Sequence, residues 1–435
     1  MTKATILTVA FALATSVGGF SQPRPLTLGE LFELADSQNS DIITSRQGED
    51  VARQKLNVAR SSRLPDIQAS LTLSYLGDGT ILDRDFSNPR RDPLPHFSNQ
   101  LGVEVYQPVY TGGAITGGIE MAEQEIGLAT IGTDASRNDV RMAIATNYLN
   151  LCKHTNLMEV YCENIALTEK LLDEMRARYR EGVVLKNDIT RYELRLSTIR
   201  YDSIATANAI AICNRNLVSL TGLPTATEIL ATAPPAGTQR GIAEWTGAVQ
   251  NNSPQLMSIG QLTEMERTAR RITRSEYLPK IGLVAGDHLQ GPVTFEVPAL
   301  NTNYNAWFVG VNVKWSVSSL FTTGKSLRRH NARIEQLQLQ HAEVSDGIER
   351  RLNEAYTLYD QAYDRLEIER KNLQLAEDNY AVVSNRFDNQ LALLTDMLDA
   401  STARLDAGVR LVNAEISVLF HYYQLHYITG TLTTL

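Results

Sequence analysis

The sequence has 435 residues, 43% of them hydrophobic and 21% charged, with a net charge of −8 and an isoelectric point near 5.5. An acidic balance spread along the chain excludes the basic footprint of a nucleic-acid-binding protein. Three cysteines and seven scattered histidines fit neither a disulfide scaffold nor a zinc motif. His421 and His426 lie five apart, off the i,i+4 spacing that would put two imidazoles on one helical face, so no metal and no cofactor is expected.

The chain opens with Lys3, an apolar run from Thr5 to Ala14, and small residues ending in Gly19-Phe20-Ser21. This pattern reads as a signal peptide over residues 1–21. The run falls short of the ~20 residues that span a bilayer, and no cysteine follows it to carry a lipid. No later stretch is apolar enough for a membrane helix. The mature chain is therefore expected to be exported and to enter a membrane, if at all, as strands.

Leu26–Leu64 reads as helix, with a capped break at Asn39-Ser40-Asp41 and a stop at Pro65. The second half opens the same way. Trp245–Gln250 precedes Asn252-Ser253-Pro254, and the following helix runs to Leu278 and Pro279. Ser62–Ile67 thus corresponds to Glu276–Ile281. After each proline the period changes to two. Ile67, Ala69, Leu71, Leu73 and Tyr75 alternate with polar residues. Leu101, Val103 and Val105 follow a polar loop at 77–96. Ile281, Leu283 and Ala285 alternate in the second half, as do Trp307, Val309, Val311, Val313 and Trp315. Hairpins are expected at about 66–109 and 280–317. Trp307 and Trp315 are eight residues apart, about 26 Å at ~3.3 Å per residue. That spacing suits the ~25 Å apolar band of a membrane barrel with aromatic rims. A half-buried hairpin of a soluble protein would show the same alternation.

Each hairpin runs into a long helix, a break near residue 182 or 390, and a return helix. Tyr148–Gly222 matches Tyr356–Gly430 at a constant offset of 208. The outgoing helices carry 4-3-4-3 stripes, Ile144, Tyr148, Leu151, Thr155 and Met158 against Leu352, Tyr356, Tyr359, Tyr363 and Leu366, as coiled-coil seams do. Over 60 helical residues would make a rod of ~95 Å. Four strands cannot close a barrel, and lipid does not tolerate an open edge. Several copies must therefore assemble.

The duplicated order of helix, proline, hairpin, long helix, tip and return helix resembles the TolC-type outer-membrane efflux proteins. The resemblance is carried by Arg178-Tyr179-Arg180-Glu181-Gly182-Val183-Val184 and by Thr395-Asp396-Met397-Leu398-Asp399-Ala400. It implies a mainly α fold with a small β part. The chain divides into a first repeat at 22–222, an equatorial linker at 223–240, a second repeat at 241–430 and a tail at 431–435. It also implies a homotrimer with a 12-stranded barrel and a 12-helix tunnel, set in outer-membrane lipid with its helical part in the periplasm. Its implied partners are a periplasmic adaptor and an inner-membrane pump, and its implied role is passive conduction. Two departures stand out: Gln390 occupies the place of Gly182, and Ala392 occupies a place where the family often has an arginine.

The resemblance places adaptor docking at Arg178, Tyr179, Gly182, Val183, Val184, Phe387, Gln390 and Leu391; ordinary hairpin capping would use the same residues. It places a periplasmic gate at Asp396 and Asp399, which project from one helix face three residues apart. Acidic residues at a helix start also suit the N-terminal dipole. No catalytic constellation is present, since Gly112-Gly113 and Gly117-Gly118 lack a phosphate-binding lysine. The competing reading is a periplasmic adaptor or a structural coiled coil. Finally, a turn at Gly182-Val183 makes antiparallel partners sum to about 365, which brings Cys152 and Cys213 together and leaves a bridge between them open.

Overall fold

The computed structural model describes residues 24–235, 241–296, 298–389 and 391–434. The expected signal peptide, Gln390 and linker residues 236–240 lie outside them. The described chain is mainly helical with a small strand part: α1 (Leu28–Gln38), α2 (Ser40–Ser61), β1 (Asp66–Tyr75), β2 (Phe97–Tyr110), α3 (Ala114–Arg180), α4 (Lys186–Thr221), α5 (Ile242–Asn252), α6 (Pro254–Arg274), β3 (Lys280–Gly291), β4 (Tyr304–Lys314), α7 (Ser319–Asp388) and α8 (Leu394–Thr429). The chain forms two compact units. One holds residues up to 43, 136–253 and 349–435; the other holds 44–135 and 254–348.

The first unit has a continuous apolar core. Leu28, Leu31, Phe32 and Ala35 of α1 meet Ile144, Tyr148 and Leu149 of α3, Leu217 and Val218 of α4, and Ile416 and Leu419 of α8. Local chemistry sets the ends of these helices. Thr27 and Glu30 form a reciprocal capping box at the start of α1, satisfying two N–H groups that the helix leaves orphaned. Asn39 caps α2, its Oδ1 accepting from the N–H of Asp41 at 2.9 Å, while its Nδ2 donates to Leu220 O at 2.9 Å. The break expected at Asn39 is thus also a tie between α1 and α4. Arg141 binds Asp36 Oδ2 at 2.8 Å and Leu432 O at 2.9 Å, its guanidinium lying over the Phe32 ring. The linker is strapped down at its first part, with Ile229–Leu230 pairing in parallel with Arg24–Pro25. The Thr232 N–H donates to the Tyr148 hydroxyl at 3.0 Å.

The first long hairpin keeps the expected register. Asn147–Asn216, Met158–Ser203, Glu169–Arg200 and Arg176–Glu193 are joined by side-chain bonds. Their paired numbers add to between 361 and 369, bracketing 365. Cys152 and Cys213 are both buried in the one core, but they are free thiols, so the bridge that the register leaves open does not form. Burial pushes the Cys152 thiol up to about 12 and that of Cys213 upward as well.

The second unit contains a four-stranded antiparallel meander in the order β1-β2-β3-β4. Its register aligns the sequence alternation into rows. Ala69 faces Val103, Val103 faces Asp287, and Asp287 faces Trp307; Leu71, Leu101 and Leu289 form the next row. One face therefore carries Ile67, Leu71, Leu73, Val103, Leu283, Val309, Val311 and Val313, with Asp287 among them. The other carries Gln68, Ser70, Thr72, Gln100, Glu104, His288, Asn312 and Lys314. On this polar face the rings of Tyr106 and Phe308 lie over Gly282 and Gly286, where any Cβ would collide with them. No described residue of the unit covers the apolar face: Trp307 is 76% exposed, and Ile67, Leu71, Val309 and Val311 are all exposed.

Candidate functional site

The hairpin ends of the first unit bring together most of the residues singled out in the sequence. At the first end Gly182 has φ of +79°, a left-handed conformation that suits glycine at a helix C-cap. Its N–H donates to Tyr179 O and that of Val183 to Arg178 O, both at 3.0 Å. At the second end the Leu391 N–H donates to Arg386 O at 2.7 Å. This is the counterpart of the Val183–Arg178 bond 208 residues earlier, so the substitution at Gln390 leaves the closing bond in place.

The return helices start alike. Asp188 Oδ2 accepts from the Leu185 N–H at 3.3 Å, and Asp396 Oδ2 accepts from the Leu393 N–H at 3.0 Å. Asp396 therefore caps α8, while Asp399, one turn on, is exposed. Behind the ends lies a small core of Leu171, Leu172, Met175, Tyr192, Leu196, Phe387 and Met397. The Tyr192 hydroxyl in it is buried without a partner. Burial raises its pKa, and the charges of Tyr380 and Asp399 raise it further.

Phe387 is not a surface residue. It is 6% exposed, and the Arg178 guanidinium lies 4.6 Å over its ring. Arg178 also pairs with Asp388 at 3.8 Å. This link between the two hairpins was not apparent in the sequence. Val184 is half-buried against the same core, whereas Tyr179, Val183 and Leu391 are exposed, the last at 74%. Leu185 and Leu393 join them as exposed apolar side chains. Both occupy N-cap positions, where Ser, Thr, Asp or Asn would be usual, and that mismatch was a signal available in the sequence. In the second unit Trp307 is exposed, and the Trp315 indole N–H donates to Tyr277 O at 3.1 Å. Among the described residues no group of His, Cys, Asp and Glu is arranged to hold a metal ion. No described helix is long and apolar enough to cross a membrane.

Residues 31–223 and 245–431 match the profile of a family described as outer membrane efflux protein. The chain belongs to that family. Outer membrane protein TolC of Escherichia coli (strain K12) is 23% identical over 201 residues, which is 43% of this chain and 40% of that protein. Outer membrane efflux protein BepC of Brucella suis is 21% identical over 229 residues, 52% of this chain and 48% of that protein. The alignments thus span about two fifths to a half of these relatives. Among solved structures, the outer membrane protein VceC of Vibrio cholerae superposes with a TM-score of 0.75 at 16% identity, covering 93% of this chain and 96% of that one. The outer membrane channel CmeC of Campylobacter jejuni does so with 0.75 at 13%, covering 93% and 85%. These structures share the fold, and the family places the chain in the outer membrane.

Proposed function

We propose that this chain is the outer-membrane exit duct of an export machine, passively conducting solutes received from a periplasmic adaptor and an inner-membrane pump. The observation that carries this reading is the four-stranded sheet with one largely apolar face, interrupted at Asp287, and two edges unpaired among the described residues. In hydrocarbon every backbone polar group has to be satisfied, so the sheet closes only with strands from other copies. Membrane barrels start at eight strands, and three copies supply twelve. The polar face of the sheet then lines a wet lumen, Trp307 and Trp315 mark the rims of the apolar band, and the helices extend into the periplasm.

In this reading the exposed Tyr179, Val183, Leu185, Leu391 and Leu393 dock the adaptor, with Arg178, Gly182, Val184 and Gln390 shaping the surface. Phe387 supports that surface from beneath. Asp396 and Asp399, repeated by three-fold symmetry, ring the periplasmic mouth and favour cations. A conduit needs no catalytic group, and none is assigned. Membrane fractionation and imaging of the detergent-extracted protein test the reading. Three-fold tubes from the outer-membrane fraction that conduct in planar bilayers are expected. A monomer in the soluble periplasmic fraction would overturn it.

A further inference from the structure

The polar face of the sheet is not polar throughout. Three rings lie on it, each against a glycine of a neighbouring strand: Tyr106 of β2 over Gly282, Phe308 of β4 over Gly286, and His288 of β3 against Gly102. A Cβ on Gly286 would come within 2.6 Å of the Phe308 ring, and one on Gly102 within 2.8 Å of His288 Nδ1. The missing side chains let the rings lie down on the backbone, an arrangement that also helps to pin register. It leaves aromatic surface bare among glutamine, serine, threonine and asparagine, with Phe308 45% exposed and Tyr106 37%.

The neighbouring charges select what that surface can hold. Glu104, Gly286 and Phe308 form one cross-strand row, whose ends are ~10 Å apart over two strand spacings. Gly286 contributes no side chain, so the Glu104 carboxylate and the Phe308 ring border a single gap. The His288 ring lies alongside, 5.9 Å from that of Phe308 and inclined to it by only 15°. Its Nε2 is 3.4 Å from Glu104 Oε1, longer than an ordinary hydrogen bond, and the Glu104 side chain is 63% exposed. The carboxylate is therefore open to a ligand. The fixed cations of this face, Lys280 and Lys314, sit opposite each other at the far end of the sheet. They are six residues from Gly286 and from Phe308 along their strands, ~20 Å away. β1–β4 hold no other lysine and no arginine. The gap thus combines an ionised acid with aromatic faces, whose quadrupole is negative, and no fixed cation competes for them.

We propose that the gap between Glu104 and Phe308 is a binding site for flat organic cations. The positive charge of the solute lies against Glu104 and its flat apolar part lies on the rings of Phe308 and His288. The site rests on the exit-duct reading, which makes this face the wall of the lumen and gives each copy in the ring one such site. It adds to that reading a class of solute, the aromatic or amphipathic cation. A cation–π contact and an exposed ion pair are each weak. Weakness suits a conduit, in which a solute has to bind well enough to enter and loosely enough to leave.

Fluorescence anisotropy of ethidium, a flat cation, tests the site with the full protein in lipid nanodiscs, the signal of empty nanodiscs being subtracted. Saturable binding at one site per chain is expected, and none of fluorescein, a flat anion. Glu104→Gln is expected to weaken ethidium a few-fold, and Phe308→Leu by about 2- to 30-fold, the range of a cation–π contact. Phe308→Tyr, which keeps the ring, is expected to bind as the parent does. Asp396→Ala with Asp399→Ala is expected to leave this binding in place. An azide derivative of ethidium is expected on illumination to label peptides of β2 and β4. Should Phe308→Leu fail to fold, Glu104→Gln, altered at an exposed side chain, and the labelled peptides decide alone. Three-fold conducting particles that bind no ethidium, bind fluorescein equally, keep full affinity in Glu104→Gln and Phe308→Leu, or carry the label only near Asp396 overturn the site and leave the exit-duct reading standing. Monomers in a soluble fraction overturn both.

Discussion

The two units of the chain bury apolar surface in opposite ways. The first closes its core within one chain: Leu31, Ala35, Ile42, Ile144 and Leu217 are fully buried, and Arg141 ties Asp36 to Leu432 beside them. In the second, a sheet face carrying Ile67, Leu71, Val309 and Val311 is left exposed by the described residues. The difference teaches that one unit owes its stability to its own side chains, and that in the exit-duct reading the other owes much of its stability to lipid and to further copies of itself.

Four substitutions press on that comparison. The largest effect is expected from Ile144→Ala, which removes methyl groups from a filled core and costs about 2–5 kcal/mol in denaturant unfolding of the first unit. Val309→Ala, on the exposed sheet face, is expected to leave that transition where it was, and an equal shift from both would erase the distinction. Next, Val311→Arg places a charge on the apolar face and costs roughly 2–4 kcal/mol near the middle of a bilayer, read as folding into lipid vesicles. Asn312→Arg, one residue on and on the polar face, is expected to fold as readily as the parent, and a penalty there would contradict the assignment of faces.

A smaller effect separates the two carboxylates at the second hairpin end. Asp396→Ala loses the bond to the Leu393 N–H and is expected to cost about 0.5–2 kcal/mol, as loss of a cap does. Asp399→Ala costs little. Both are expected to weaken cation preference in planar bilayers, and unchanged selectivity in the double variant would leave Asp396 a cap alone. The smallest effect is chemical. Cys162 is exposed and is expected to react with a maleimide at pH 8, whereas Cys152 stays protonated and unlabelled until the first unit opens. Because burial raises the folded-state pKa of Cys152 from 9.0 to about 12, its contribution to stability is complete below pH 9 and is lost as pH rises toward 12. Cys152→Ala is expected to flatten that loss in a series of unfolding midpoints against pH.

The strands and their faces were legible because the hydrophobic period changes abruptly at Pro65 and Pro279, and because a period of two admits only two faces. The register of the first hairpin was legible from the position of Gly182 alone. What the sequence withheld was orientation at the hairpin ends. Phe387 sits in a tip motif, yet a motif fixes place along a helix and not the direction of a side chain. Its burial depends on side chains of the first repeat, Leu172, Met175 and Tyr192 in the core and Arg178 over its ring. Asp396 was legible both as gate and as cap; the bond to the Leu393 N–H assigns it the cap, and the gate belongs to the proposed reading.

Arg141 and Leu432, bonded in the first core, are separated by 291 residues, and Asn138 and Tyr427 by 289. Contacts so distant along the chain are slow to form, because a long loop has to close before they reward it. A polypeptide delivered from its N-terminus has its first hairpin in hand early, but cannot lock that core until the closing residues of the second arrive. For most of its emergence the protein is therefore a set of local helices without a finished interior.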